Sequence, residues 1–112
     1  MSDDSLDLVF SALADPTRRA IIANLATGSK SVNELSKPFA MTGPAVLKHL
    51  KVLQKAGLVS VDKKAQFRPR TLEPLPLQVA VDYLERYREF MDKSFDRMEK
   101  YLKEIQEIGD KS

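Results

Sequence analysis

One helix is marked more clearly than any other element of this chain, between Thr42 and Gly57. Thr42 suits an N-cap, Pro44 is tolerated in a first turn, and Gly57 suits the left-handed position after a last turn. Apolar residues recur every three or four positions between these ends, and cations lie on the opposite side. We expect the helix to pack one face on a core. The other face fits either plain solvation or contact with a polyanion. The apolar residues are Ala45, Val46, Leu50, Leu53 and Ala56, and the polar side carries Lys48, Lys51 and Lys55 with His49 beside them.

A second, shorter helix is predicted just before this one. Ser31 and Glu34 have the spacing of a capping box, in which each side chain bonds to the other residue's backbone amide. The helix should run from Val32 to about Lys37, and Pro38 then interrupts it. A short helix, a tight turn and a longer basic helix within residues 32–57 predict a helix-turn-helix.

Asp15 and Pro16 mark the start of an earlier helix, which would complete a helical core over residues 16–57. Its first turn carries Arg18 and Arg19, although the helix dipole disfavours positive charge there. This conflict suggests either a role within the fold or a phosphate contact, and we favour the former. The apolar residues Ile21, Ile22 and Leu25 should be buried.

The periodicity changes after Gly57 from that of a helix to that of a strand. Apolar residues flank a polar tip at residues 62–66, which predicts a β-hairpin wing over residues 58–72. Pro69 cannot donate to a strand ladder, so the return strand should be short or at an edge. The flanking apolar residues are Leu58, Val59, Val61, Phe67 and Leu72, and the cations expected to project are Lys63, Lys64, Arg68 and Arg70.

Residues 76–108 contain no Gly or Pro after the initial Pro76 and keep an apolar stripe throughout, which predicts one helix about 50 Å long. A small domain cannot cover such a length, so part of the stripe should meet a second copy. The alternative is a break that folds the helix back, although no residue marks one. A helix within residues 1–14 could join the interface. The predicted dimer residues are Leu6, Val9, Phe10, Leu84, Tyr87, Met91, Phe95 and Met98.

Charge is distributed unevenly although the net charge is only +2. Residues 42–72 hold seven Lys and Arg residues against the single acid Asp62, and the flanking segments are acidic overall. One basic surface on an otherwise acidic chain is typical of a protein that binds nucleic acid or another polyanion.

Several other classes of protein are disfavoured by what the sequence lacks. Cysteine is absent, which rules out disulfides and thiolate nucleophiles and suits a reducing cytoplasm. The acidic N-terminus is unlike a signal peptide, and no apolar run is long enough to span a membrane. With a single His and no Gly-rich phosphate loop, we expect no enzyme activity.

Three stretches together resemble the ArsR/SmtB family of bacterial winged-helix regulators: residues 12–25, 31–59 and 82–90. The resemblance implies a mainly α protein with a small β-hairpin wing. It would be a winged helix-turn-helix with a long C-terminal dimerisation helix, in one domain over residues 1–112. Members form homodimers that bind double-stranded DNA, often repress their own operon, and leave DNA when an effector binds.

The resemblance also implies which residues bind DNA. Leu47 and Gly43 depart from the common family pattern and remove hydrogen-bond donors, so base contacts should depend on Thr42, Lys48 and His49. Contacts with phosphates and the recognition of DNA shape would supply the rest of the binding. The family positions are Thr42, Gly43, Pro44, Ala45, Lys48 and His49 on the helix and Lys63, Lys64 and Arg68 on the wing, and the charge pattern adds Lys51 and Arg70.

Many members of the family sense metal ions, but this chain lacks the ligands. The family's Cys-containing motif falls on residues 32–35, which hold no Cys, and the only His is His49, in the predicted recognition helix between Thr42 and Gly57. Carboxylates alone on the last helix would be a poor transition-metal site. We therefore expect no metal and no cofactor, as in the members of the family that do not sense metal ions. An effector, if this protein has one, is an unidentified small molecule. The carboxylates are Asp82, Glu85, Glu89 and Asp92.

Two functions fit the sequence. The first is a sequence-specific regulator, a dimeric autorepressor on an inverted-repeat operator. The second is a winged-helix module that binds proteins without specific DNA binding, which the basic segment disfavours. RNA binding ranks third, because Phe67 is the only aromatic residue near the basic surface that could stack on a splayed base.

Overall fold

The computed structural model describes the backbone of residues 3–111 and the side chains of residues 4–109. The described residues fall into two compact units, one ending at residue 80 and the other beginning at residue 81, which are treated separately below. The prediction of a single domain stays a prediction. In chain order the elements are α1 (Asp3–Leu13), α2 (Pro16–Leu25), α3 (Val32–Ser36), a short 3₁₀ helix (Lys37–Phe39), α4 (Gly43–Lys55), β1 (Val59–Val61), β2 (Arg70–Leu72), α5 (Pro74–Glu85) and α6 (Arg88–Lys111).

The predicted ends of the helices are confirmed by their hydrogen bonds. The Asp15 carboxylate accepts from the Arg18 amide at 3.0 Å and caps α2. At α3, the Glu34 amide donates to Ser31 Oγ at 3.2 Å and the Ser31 amide donates to Glu34 Oε1 at 3.1 Å. Thr42 Oγ1 accepts from the Ala45 amide at 3.3 Å and caps α4, while Gly57, at φ 76°, ends its last turn in the left-handed region.

The core of the first unit is built around α4, which packs against α1, α2, α3 and β1. The predicted apolar stripe of α4 is confirmed at Val46, Leu50, Leu53 and Ala56, whereas Ala45 is only half-buried. Because four elements share this helix, its polar side is held in a fixed direction relative to the rest of the unit. The other buried apolar residues are Val9, Ala12, Ile21, Leu25, Leu35, Leu58, Val59 and Ala80.

The predicted hairpin is present and is antiparallel, with Val59 opposite Leu72 and Val61 opposite Arg70. The return strand is short and begins directly after Pro69, as expected from the missing amide of proline. One position was predicted wrongly, because Phe67 belongs to the loop and not to a strand. The far side of β2 carries an isolated bridge between Lys30 and Arg70, which ties the wing to the segment before α3.

The prediction of one uninterrupted helix over residues 76–108 is wrong, because α5 ends at Glu85 and α6 begins at Arg88. The Arg86 amide donates to the Tyr83 carbonyl and the Tyr87 amide to the Leu84 carbonyl, so the backbone tightens to three-residue bonds for one turn. The Arg86 guanidinium carbon lies 5.5 Å from the centre of the Tyr83 ring and stabilises this turn. The interruption needs neither Gly nor Pro.

The fold class predicted from the sequence is confirmed: a mainly α chain with a two-stranded wing and a long C-terminal helix. The N-terminal helix occupies residues 3–13 of the predicted 1–14, and residues 1 and 2 lie outside the described residues. No helix of the described part of the chain is long and apolar enough to cross a membrane.

Candidate nucleic-acid interface

The polar side of α4 lies on the surface of the first unit. Lys48, Lys51 and Lys55 are exposed, while Val46 and Leu50, on the opposite side, are fully buried. At the N-terminal end of the helix, Thr42 and Pro44 are also exposed. The burial of one face therefore leaves the cations free to meet a ligand. Two further predicted positions, Gly43 and Ala45, are half-buried.

A depression of about 440 Å³ lies beside the start of α4, between this helix and α3. Its lining includes the exposed residues Asn33 and Lys37, neither of which was among the predicted site residues. The chain turns sharply here because Ala40, at φ 51°, adopts a left-handed conformation. The first helix of a helix-turn-helix crosses the DNA backbone, and this general arrangement could have identified both residues as candidates for phosphate contact. The remaining lining residues are Ser36, Ala40, Met41 and Gly43.

His49 differs from the neighbouring lysines because its ring is turned partly into the fold. Its Nδ1 atom lies 3.5 Å from Nη1 of Arg18 and 3.9 Å from a carboxylate oxygen of Asp15, and 23% of its side chain is exposed. The backbone hydrogen bond from Arg18 and then the charges of Arg18 and His49 lower the pKa of Asp15. One ring nitrogen of His49 is thus directed at Arg18 and Asp15. The contact of His49 with DNA stays a prediction.

Arg18 and Arg19 bind the C-terminal end of α1. Arg18 Nε donates to the Ala12 carbonyl at 2.7 Å and its Nη2 atom donates to the Ser11 carbonyl at 3.1 Å. Arg19 Nη1 donates to the Leu13 carbonyl at 2.8 Å. Carbonyls in the last turn of a helix have no partner within the helix, and cations stabilise them. The role within the fold predicted for these arginines is therefore confirmed.

The tip of the wing carries three of the predicted cations. Lys63, Lys64 and Arg68 are exposed. Asp62 holds the tip, because its Oδ1 atom accepts from the amides of Lys64 at 3.1 Å and Ala65 at 3.2 Å. The loop is thus a turn with defined hydrogen bonds that presents positive charge.

Arg70 does not project from the wing, and that prediction is wrong. Its residue is 8% exposed, and its Nη1 atom donates to the Arg68 carbonyl at 2.8 Å. Arg70 lies opposite Val61 in the register, on the inward face of the strand, and within the described residues its buried Nε atom has no partner. Burial, and secondarily the charge of Arg68, lowers the pKa of the Arg70 guanidinium. Arg70 is a structural residue of the wing.

The predicted dimer residues fall into two groups. Val9 is fully buried in the core of its own chain, so the prediction that it meets a second copy is wrong. Leu6 and Phe10 are half-buried against that core, and their contact with a second copy stays a prediction. The residues of α5, α6 and the turn between them remain exposed, by 49–60%. They are Leu84, Tyr87, Met91, Phe95 and Met98.

An apolar groove of about 410 Å³ follows the break between α5 and α6 within the second unit. Val81, Leu84, Met91 and Phe95 line it. Arg88 lies at the same groove and pairs with Glu85 at 3.4 Å. Nowhere in the described part of the chain do three His, Asp or Glu side chains come together as a metal site would require.

Comparisons with known proteins identify the same part of the chain. The model of the arsR family of bacterial regulatory proteins matches residues 15–61, from the cap of α2 to the end of β1. The chain is 41% identical over 83 residues to the HTH-type transcriptional regulator Rv2034 of Mycobacterium tuberculosis, covering 74% of this chain and 78% of the relative. It is 32% identical over 76 residues to the transcriptional repressor SdpR of Bacillus subtilis, covering 68% and 84%.

A solved structure is similar to this protein over a longer part of the chain. The ArsR family transcriptional regulator RHA00566 superposes with a TM-score of 0.74 at 34% identity, covering 82% of this chain and 95% of the other. These relatives are regulators of transcription and not enzymes, which agrees with the prediction from the sequence.

Proposed function

Because the chain belongs to the arsR family of bacterial regulatory proteins and is a DNA-binding transcriptional regulator, we propose that it acts as a dimeric repressor on an inverted-repeat operator. The observation that carries the proposal is the orientation of α4. Its apolar face is buried by four other elements, and its lysines and N-terminal end are exposed. A helix held in this way can enter the major groove as a rigid body.

The N-terminal half of α4 contacts the bases. Thr42 uses its hydroxyl oxygen to cap the helix, which leaves the hydroxyl hydrogen free to donate. Lys48 is exposed nearly two turns further along and can donate to the acceptors that guanine presents in the major groove. The short side chain of Ala45 allows close approach and apolar contact with a thymine methyl group. Lys51 lies further toward the C-terminal end and contacts phosphate.

The wing contacts the DNA backbone beside the major groove. Lys63, Lys64 and Arg68 are exposed on a tip that Asp62 holds in place. Contacts of cations with phosphates carry no sequence information but add affinity that falls steeply with salt. The cations of the wing therefore supply general affinity, whereas α4 supplies selectivity.

Dimerisation uses the apolar stripe on α5 and α6. Met91, Phe95 and Met98 recur at helical spacing and are about half exposed in the single chain. A second copy related by a two-fold axis would bury this stripe and fill the groove at the break. A dimer of this kind presents two copies of α4 to successive major grooves about 34 Å apart.

Repression is proposed because SdpR, to which the chain is similar, is named a transcriptional repressor. Control of its own operon follows from the family resemblance, and the site of action is the cytoplasm, where bacterial chromosomal DNA lies. A small-molecule effector is not assigned to any residue.

The test is a binding titration with DNA from the region upstream of the protein's own gene. Unrelated DNA of the same length is the control, and each titration is repeated at several salt concentrations. Selective binding by a dimer, with the mass measured by sedimentation, supports the proposal. Equal, steeply salt-dependent binding to both DNAs contradicts an operator in this region. Absence of binding at low salt favours the protein-interaction module.

A further inference from the structure

Phe67 is an aromatic residue that the wing exposes to solvent. It is 73% exposed, more than any other large hydrophobic residue in the described part of the chain. Its φ angle is 65° and that of Arg68 is 45°, so two successive residues with side chains adopt the left-handed conformation. This conformation is costly for a bulky residue and is usually left to glycine or asparagine. The chain accepts this cost although the ring gains no burial in exchange.

The strained turn is held from both sides. The Arg68 amide donates to the Ala65 carbonyl at 3.1 Å, and the buried Arg70 guanidinium donates to the Arg68 carbonyl at 2.8 Å. The Asp62 amide donates to the Pro69 carbonyl at 3.0 Å and closes the loop at its base. These bonds hold the backbone on both sides of Phe67, so the exposure of its ring follows from the conformation of the loop.

The surroundings of the ring indicate what it contacts. Phe67 shares the wing tip with Lys63, Lys64 and Arg68, all of them exposed. Cations at the edge of a DNA groove are drawn to its phosphates, and an apolar group between them meets the sugars and base edges of the minor groove. Proteins that bind the minor groove frequently insert an apolar side chain as a wedge between base steps.

We propose that the Phe67 ring enters the minor groove beside the operator half-site and presses against the base steps there. The inference rests on the proposed function, since it requires that the wing meets DNA. It adds a contact to the sugars and bases that the lysines cannot make. The wing thereby reads how easily the flanking DNA deforms.

The test uses the full chain and two variants, Phe67→Gly and Phe67→Leu. Glycine relieves the left-handed strain and removes the ring, whereas leucine keeps an apolar wedge. The probe is a duplex of about 30 base pairs from the upstream region that the wild-type protein binds most tightly. A second duplex carries inosine in place of guanosine in the flank beneath the wing, which removes an amino group from the minor groove only.

We expect Phe67→Gly to bind the duplex about tenfold more weakly with an unchanged salt slope, since no charge is lost. Its melting temperature should equal or exceed that of the wild type, which excludes unfolding as the cause. Phe67→Leu should retain most of the affinity. Inosine should strengthen binding of the wild type and not that of Phe67→Gly.

Equal affinity of wild type and Phe67→Gly for both duplexes overturns this inference and leaves the proposed function intact. Failure of the wild type to bind any duplex overturns both. A lower melting temperature of Phe67→Gly with unchanged DNA affinity also overturns the inference, because the turn would then serve stability alone.

Discussion

Nη1 of Arg18 lies 3.5 Å from Nδ1 of His49, and this contact joins the start of α2 to the middle of the recognition helix α4. The same guanidinium also donates to the Ser11 and Ala12 carbonyls at the end of α1. One side chain thus connects three helices. The position of α4, and with it the direction of its lysines, depends on this connection as well as on apolar packing.

Replacing Arg18 by Ala should lower the free energy of unfolding by about 2 kcal/mol, because two carbonyls lose charged donors and the contact to α4 disappears. Urea denaturation measures the change. Arg19→Ala is the matched control, since Arg19 is exposed and makes one such bond, at 2.8 Å to the Leu13 carbonyl. An effect of Arg18→Ala no larger than that of Arg19→Ala would contradict the connecting role.

Lys48→Ala and Arg68→Ala should weaken DNA binding in different ways. The loss at Lys48 should reduce selectivity, with operator affinity falling by about 1–3 kcal/mol and affinity for unrelated DNA falling less. The loss at Arg68 should weaken binding to all sequences and reduce the salt slope by about one unit. Anisotropy titrations at several salt concentrations separate the two effects.

Lys93→Ala serves as the control for these variants. It removes the same charge from α6, where Lys93 pairs with Glu89 at 3.0 Å on an exposed surface. DNA affinity should then match that of the wild type. A loss as large as that of Arg68→Ala would mean that net charge, and not the wing, governs binding.

Met91→Glu should convert the dimer into a monomer, or into insoluble protein, because it places a charge in the centre of the apolar stripe. Leu84→Glu should do the same from the other side of the break. Sedimentation measures the oligomeric state. Lys100→Glu changes the charge by more, but Lys100 lies about two and a half turns beyond Met91 and therefore on the opposite face of α6, so this variant should remain dimeric. A Met91→Glu protein that sediments as the wild type would exclude the stripe as the interface.

Stability should fall as the solution is acidified, through Asp15 and Glu34. The backbone hydrogen bond from Arg18 lowers the pKa of Asp15 below its ordinary 3.8, and that from Ser31 lowers the pKa of Glu34 below 4.5. A lowered pKa in the folded state contributes stability above the unfolded pKa, and this stability disappears as the pH falls through the folded value. Urea denaturation from pH 6 down to about pH 2 should show the decline. Glu34→Gln should make it less steep, and an identical pH profile would contradict the role of the capping box.

Local signals in the sequence were sufficient for most of the fold. Asp15, Ser31 with Glu34, Thr42 and Gly57 mark helix ends by short-range hydrogen bonding or backbone conformation, which depends on residues three or four positions away. The stripe of α4 and the change of period after Gly57 depend on similarly short distances. These features could be predicted because nothing distant in the chain alters them.

The errors arose where distant residues decide the outcome. Val9 looks like an interface residue until α1 is known to pack on α2 and α4, and Arg70 looks exposed until the hairpin register turns it inward. The break at residues 86–87 contains residue types that are common in helices. Only its backbone hydrogen bonds and the contact of Arg86 with the Tyr83 ring distinguish it from a continuous helix. For the candidate site, the lysines of α4 and the wing could be predicted from charge, whereas the inward contacts of His49 could not.

The bridge between Lys30 and Arg70 has a practical consequence for engineering. The Arg70 amide donates to the Lys30 carbonyl at 2.8 Å and the Lys30 amide donates back at 3.0 Å, on the side of β2 away from β1. At this position the hairpin therefore offers no open strand edge to another molecule. We expect that a small spectroscopic tag at the exposed Gln66 would report contact between the wing and DNA while the strands beneath the loop stay paired.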